Sequence, residues 1–353
     1  MTTMPPAGLR MPAEWEPHAS TWIAWPYEKP DWGTRMHAVP WALAEVVRAL
    51  AGHELVNVLC QDEGTIEGAR SCLQALAIPA SAYRLHLART NRIWVRDTAP
   101  AAVLDGEGGL AWLRWRQPAP TGGRLVRPDD AALGARIAEL SGRPLLEASG
   151  EGGAAVVLEG GAVDVDGCGL ALVSETFAAG VGRDAGAGAL SRAGYEAALA
   201  RLIGASRTIW LPETCAGDRT RGHVDHVARF VAPGTVALAV EPDPADENHR
   251  LSAENLRKLA LDAADRVRVV RLPFPAPREL WGDRLPASYA NFYVANGVVL
   301  VPTFNDPNDA VALAALAGLF PRRRVVGINA LDLVWGGGAV HCATVQQPAE
   351  RHV

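Results

Sequence analysis

Cys342 lies near the end of the chain, in the stretch GGGAVHCATVQQP, directly after His341. A thiol of this kind is either a small buried hydrophobe or a nucleophile. Three other places carry charge among apolar neighbours: Arg96-Asp97, Glu159 before two glycines, and His223-Val224-Asp225. Charges on otherwise hydrophobic strands are costly to bury unless they are paired. Read as extended chain, His223 and Asp225 stand at i and i+2 and share a face. The same alternation turns His226 away from His223 and His341 away from Cys342. If equivalent strand ends converge, Asp97, Glu159, Asp225 and His223 line one shared pocket that Cys342 can join.

Each residue also has a plainer reading. Asp97 pairs locally with Arg96, Glu159 serves a turn, Asp225 orients a half-buried His223, and Trp94 packs in the core. A metal set of His223, Asp225 and His226 is conceivable, but its spacing diagnoses no metal. The set as a whole points further. Carboxylates converging with a cysteine and a histidine suit a small, planar cation. Two carboxylates grip a guanidinium in bidentate fashion. A thiolate then attacks the carbon between the nitrogens, and histidine protonates the departing ammonia and activates water.

Bringing these residues together requires a particular scaffold. Four segments share a pattern of extended run, turn, and second apolar run, with turns at Asp105-Gly106, Asp166-Gly167, Pro233-Gly234 and Asn296-Gly297. Asp-Gly and Asn-Gly favour hairpins because both positions tolerate positive φ. The turns begin at 105, 166, 233 and 296, at intervals of 61, 67 and 63 residues, which marks an internal repeat. Helical patterns fill the gaps at 38–51, 62–77, 129–140, 190–203, 245–264 and 308–320, with further strands at 55–59 and 267–272. An α/β fold follows. The repeat favours radial closure over one open mixed sheet. No low-complexity linker divides residues 1–353, so one domain is expected.

Composition narrows the classes. Net charge is −5 and the pI about 6.0, and the one basic run, Arg322-Arg323-Arg324, reads as a solvated helix end. Nucleic acid is not an expected partner. No apolar run of membrane-spanning or signal-peptide length appears, so no membrane partner and a cytoplasmic location are expected. The five cysteines form no CxxC or zinc pattern and no disulfide framework is expected. Cys60 and Cys72 fall in core patterns, while Cys168 and Cys215 fall in turn and loop sequence.

Seven ordered motifs then carry a resemblance over nearly the whole chain. They are MPAEWEPHASTWIAWP (11–26), NRIWVRDTAP (91–100), VLEGGAVDVDGCG (157–169), GHVDHVARF (222–230), ASYANFYVANG (287–297), FPRRRVVGI (320–328) and GGGAVHCATVQQPA (336–349). The sequence resembles the agmatine deiminases, within the peptidylarginine deiminase-like group of guanidine-modifying enzymes. The resemblance implies a pseudo-fivefold α/β propeller (pentein) around a central polar channel, its fifth unit assembled from the two chain ends. It implies Cys342 as nucleophile, His223 as general acid and base, and Asp97 and Asp225 as the guanidinium grip. Glu159 would support His223 and the guanidinium, and Trp94 would wall the substrate slot. The implied reaction is hydrolysis of agmatine to N-carbamoylputrescine and ammonia, with no metal or organic cofactor, by a homodimer or larger assembly. One departure stands out: Arg219 and Arg221 occupy positions where acidic residues are common in the family. Arginines facing the channel would repel the ammonium of agmatine and favour arginine or a guanidino acid. Facing solvent or a subunit contact, they leave agmatine in place. Amidino transfer, or a non-catalytic polyamine- or arginine-binding protein, are the other readings.

Overall fold

The computed structural model describes residues 8–27, 32–118, 128–185, 190–220, 222–263 and 265–350. The chain forms a mixed α/β fold in which five sheets repeat one topology. In each, an antiparallel pair is extended by a strand parallel to its second member. Ala101–Leu104 pairs with Leu110–Arg114 and then Leu145–Glu147. Val163–Val165, Leu170–Ser174 and Arg207–Leu211 repeat this. So do Ala228–Ala232, Thr235–Ala239 and Arg268–Leu272, and Tyr293–Ala295, Val298–Thr303 and Arg324–Asn329. The remaining sheet joins the chain ends. Val345–Pro348 lies antiparallel to His18–Ala24, which runs parallel to Leu55–Cys60, itself parallel to Tyr83–Leu87.

Parallel neighbours need a crossover, and a helix supplies each one. The helices are Val39–Leu50 and Glu63–Ala75 in the terminal sheet, then Pro128–Ser141, Arg192–Ile203, Glu247–Ala263 and Asn308–Leu319. They match the six predicted segments to within two residues at either end. Asp62 and Ser191 cap two of them, accepting from Thr65 N (2.7 Å) and Gly194 N (3.1 Å). Helix Glu175–Ala185 was not anticipated. Among the described residues no helix is long and apolar enough to cross a membrane.

The turns depart from expectation. Only the Pro233-Gly234 and Asn296-Gly297 connections are two residues long, and in each the glycine takes positive φ (61° and 70°) while the residue before it does not. Asn296 instead fastens the terminal sheet: its side chain accepts from His18 N (3.0 Å) and donates to His18 O (2.8 Å). Asp105 and Asp166 open longer loops. Asp105 Oδ1 accepts from Glu107 N and Gly109 N, and Asp166 Oδ1 from Cys168 N and Leu170 N.

Short turns immediately before the hairpin strands matter most for the site. Val95–Thr98 is one helical turn, and Gly160–Ala162 and Val224–His226 are 3₁₀ turns. Residues 340–343 form a turn as well. The segments read above as extended chain are therefore not strands, and period-two alternation does not apply to them.

Candidate active site

These turns bring the predicted residues together. Cys342, Asp97, Glu159 and Trp94 line one cavity of about 340 Å³. His223 and Asp225 are fully buried directly behind it. The site has two halves.

The first half surrounds His223. Its Nε2 lies 3.0 Å from Glu159 Oε2, and its Nδ1 3.5 Å from Asp97 Oδ1. Asp218 Oδ2 fixes the backbone beneath it, accepting from Gly222 N (3.0 Å) and His223 N (3.1 Å). Asp97 Oδ1 accepts from Gly161 N (3.1 Å), tying the first and second repeats together. A Cβ at Gly161 would stand 2.4 Å from His223 Nδ1, so no larger residue fits. Burial pushes the Asp97 carboxyl up to about 6; Glu159 and Asp225 add to this, and His223 opposes it. Burial works against the His223 cation, but Asp97 and Glu159 outweigh it and raise His223 to about 10. At neutral pH, His223 is thus a charged acid with a proton to give.

The second half surrounds Cys342. Asn291 Nδ2 donates to its Sγ (3.2 Å), while Asn291 Oδ1 accepts from His341 N (3.0 Å) and Cys342 N (3.3 Å). One amide therefore clamps the turn and touches the thiol. Cys342 Sγ lies 3.6 Å from Asp225 Oδ2 and 3.7 Å from His226 Nε2. Burial, then Asp225 and Asp97, pushes the thiol well above its ordinary range. Burial would also raise Asp225, but the hydrogen bond from His341 and the neighbouring histidines hold it below the usual carboxylate range.

One expectation needs correction here. His341 does not point away from the work of Cys342: its Nδ1 lies 2.7 Å from Asp225 Oδ2, the same oxygen that the thiol meets. That error came from reading a turn as a strand. His226 borders the thiol, a contact that was not anticipated. Cys215 is buried rather than exposed; Cys168 is exposed, and Cys60 and Cys72 are buried.

Sequence reasoning missed Asn291, Glu14 and Arg229. Asn291 stands just before the hairpin strand of its repeat, where the other repeats carry Asp97, Glu159 and Asp225. Aligning the repeats by their turns would have found it. Glu14 reaches His341 Nε2 (2.9 Å), Arg96 Nη2 (3.1 Å) and Arg229 Nη2 (2.8 Å). Burial opposes its charge, yet Arg229, His341 and Arg96 hold it well below the usual range.

Trp94 packs on Trp32 (ring centroids 5.7 Å) and over Gly336 and Gly338. A Cβ at Gly338 would meet Trp94 at 2.8 Å and Cys342 Cβ at 3.0 Å, so the glycine run admits the tryptophan wall beside the thiol. At the cavity mouth, a two-stranded ribbon (Glu279–Leu280 with Asp283–Arg284) presents Trp281 and Asp283. Arg219 also lines the mouth and pairs with Asp283 (2.8 Å). Arg221 lies outside the described residues.

A buried thiol, a carboxylate-bound histidine and a facing carboxylate on a repeated α/β scaffold mark a cysteine-type site shaped for a small cation. The chain belongs to the Porphyromonas-type peptidyl-arginine deiminase family, whose sequence model matches residues 10–348. It is 36% identical to an agmatine deiminase of Ectopseudomonas mendocina, covering 99% of this chain and 98% of that one. It is 35% identical to an agmatine deiminase of Pseudomonas aeruginosa, covering 98% and 96%. The solved agmatine deiminase of Enterococcus faecalis superposes with a TM-score of 0.83 at 28% identity, covering 97% and 96%.

Proposed function

We propose that the chain is an agmatine deiminase, a hydrolase of the C–N bond of a guanidinium. The observation that carries this reading is the placement of Cys342 between Asp225 and the cavity holding Asp97 and Glu159. Asp97 and Asp225 grip the guanidinium. Its positive charge offsets the carboxylates that hold the thiol protonated, so thiolate forms mainly in the complex. The thiol proton leaves to solvent and Cys342 Sγ bonds to the guanidinium carbon. The C–N bond to one terminal nitrogen breaks, and His223 supplies the proton with which ammonia leaves. The thiouronium intermediate is then attacked by water, whose proton returns to His223. Breaking the C–S bond releases N-carbamoylputrescine, and the proton of the added hydroxyl passes to sulfur to restore the thiol. Glu159 keeps His223 oriented and charged, and Trp94 walls the slot. The product fits a place in putrescine formation.

We read the five sheet modules as a propeller closed around this cavity within one catalytic domain, residues 1–353. The support is that turns from all five modules supply Asp97, Glu159, Asp225, Asn291 and Cys342. A homodimer or larger assembly is part of the same reading, as is a cytoplasmic location.

Ammonia and ureido-product release from agmatine, arginine and guanidino acids, with Cys342→Ala as control, tests the proposal. Release from agmatine that Cys342→Ala abolishes is expected. No release from any of them removes the hydrolase reading. One observation favours a second substrate: Arg219 lines the mouth, suiting a distal carboxylate. Its pairing with Asp283 offsets that charge, so agmatine is preferred. Release from arginine alone reverses the order.

A further inference from the structure

Within this same site, and resting on the reading above only for its location, the fold sets His226, which the proposed hydrolysis does not use, beside Cys342 and Asp225. Asp225, His226 and Cys342 each offer a ligand atom, all within 4.8 Å of one another. The individual separations are 3.6 Å from Sγ to Asp225 Oδ2, 3.7 Å from Sγ to His226 Nε2, and 4.0 Å from His226 Nε2 to Asp225 Oδ1. A tetrahedral zinc ion with Zn–S near 2.3 Å and Zn–N and Zn–O near 2.0–2.2 Å sets its ligands about 3.3–3.6 Å apart. Asp225 meets the thiol through Oδ2 and His226 through Oδ1, and these nearest separations exceed the lower end of that range by up to about 0.7 Å, so the three side chains must close on an ion.

A second observation points to the same place. Asp225 is fully buried, and its Oδ1 has no hydrogen-bond partner among the described residues, although it faces His226 Nε2. The other oxygen is bonded to His341 Nδ1, and His341 Nε2 reaches Glu14. That is the outer-shell support a ligating carboxylate needs. Cys342 opens onto the cavity, which gives an ion its path in and leaves a fourth position toward Asp97. Thiolate, imidazole and carboxylate together select zinc-like ions over magnesium or calcium.

We infer that Asp225, His226 and Cys342 form an inhibitory site for a zinc-class divalent cation, which excludes the guanidinium substrate. On binding, the Cys342 S–H bond breaks, the proton leaves to the buffer, and the Zn–S bond forms. The ion then holds both the nucleophile and one arm of the guanidinium grip. Zinc and substrate therefore compete.

The test uses the full chain with its thiols reduced. Zn²⁺ alone is titrated by calorimetry, and Co²⁺ alone is followed through its thiolate charge-transfer absorption. Expected are one ion and one released proton per chain, cobalt bands of a tetrahedral site, and displacement of the ion by propylguanidinium. Cys342→Ser should abolish the charge-transfer band. His226→Asn should weaken zinc binding by at least the ~10-fold that loss of even an outer-shell partner costs. Cys168→Ser, which alters the exposed thiol, should leave binding unchanged. The inference is overturned if no stoichiometric binding occurs, if Cys342→Ser keeps the band, or if Cys168→Ser loses it. Should His226→Asn fail to fold, the Cys342→Ser and Cys168→Ser spectra still decide. Because binding is read without turnover, a chain that deiminates some other guanidine passes or fails independently of the proposed reaction.

Discussion

At the scale of single residues, the site is a set of charges held in unequal states by burial. The Cys342 thiol is pushed well above its ordinary range by desolvation and by Asp225 and Asp97. Alkylation of the free enzyme by iodoacetamide should therefore be slow at neutral pH and quicken only in alkali. A bound, unreactive alkylguanidinium that leaves the thiol reachable should quicken it at neutral pH, because the cation offsets those carboxylates. A free-enzyme thiol already ionised below neutrality would contradict this account. Asp97 sets the acid side. With its carboxyl raised to about 6, protonation below that pH removes one arm of the proposed grip, and kcat/KM should fall about tenfold per pH unit. The stability sign is opposite. A group whose folded pKa lies above its unfolded 3.8 contributes stability below 3.8 and loses it as pH rises through about 6. Acid loss of activity through Asp97 is thus not acid unfolding, and circular dichroism at pH 5 should show the native signal. Asn291 both donates to the sulfur and clamps its turn. Asn291→Ala should lower kcat on the order of 100-fold, the scale of losing one positioned donor, while His223 reactivity is unchanged.

At the scale of elements, the working parts are turns of three or four residues set on the ends of hairpins. A turn of this size has no periodicity of its own to read. That is why the hairpins, six helices and the five catalytic candidates were legible in the sequence while the local geometry of His223, Asp225 and Cys342 was not. Their recognition rested on residue type and on motif order, which survive a wrong assignment of backbone. The contacts of His226 and His341 depended on direction, which does not. The turns also explain the glycines. Gly161 stands in the second repeat's turn, where an added Cβ would be 2.4 Å from His223 Nδ1 and 2.9 Å from Asp97 Oδ1. Gly161→Ala should cost about 1–3 kcal/mol in overpacking, since the displaced groups are held in a dense core. It should cost far more in kcat, because the displaced pair is the proposed acid and one arm of the proposed grip. Equal proportional losses in activity and in folded fraction would show that the glycine serves packing alone.

At the scale of the whole molecule, one buried carboxylate reaches into widely separated parts of the chain. Glu14 Oε2 accepts from Arg96 beside the first repeat and meets His341 before the terminal strand. Its Oε1 accepts from Val294 N (2.8 Å) and lies 2.8 Å from Arg229, which donates onward to Asp164 (3.1 Å) in another sheet. Arg229 has no exposed surface. Residues from all five modules therefore meet in one buried network around Glu14, and its reach depends on pairings hundreds of residues apart that no local pattern announces. A surface pair gives the contrast. Arg219 and Asp283 are paired at a comparable distance, but their side chains are 63% and 73% exposed. Removing that pair with Asp283→Asn should change stability by no more than about 1 kcal/mol. Glu14→Gln keeps the shape and removes the charge, leaving two buried guanidinium groups short of a counter-ion. The expected loss is about 3–5 kcal/mol. Activity should fall as well, because His341 loses one of its two carboxylate partners and no longer holds Asp225 in place. Chemical denaturation of the two variants beside the parent protein measures the difference. Equal midpoints for Glu14→Gln and Asp283→Asn would mean that the modules are held by their apolar cores, with the network serving only to place the site.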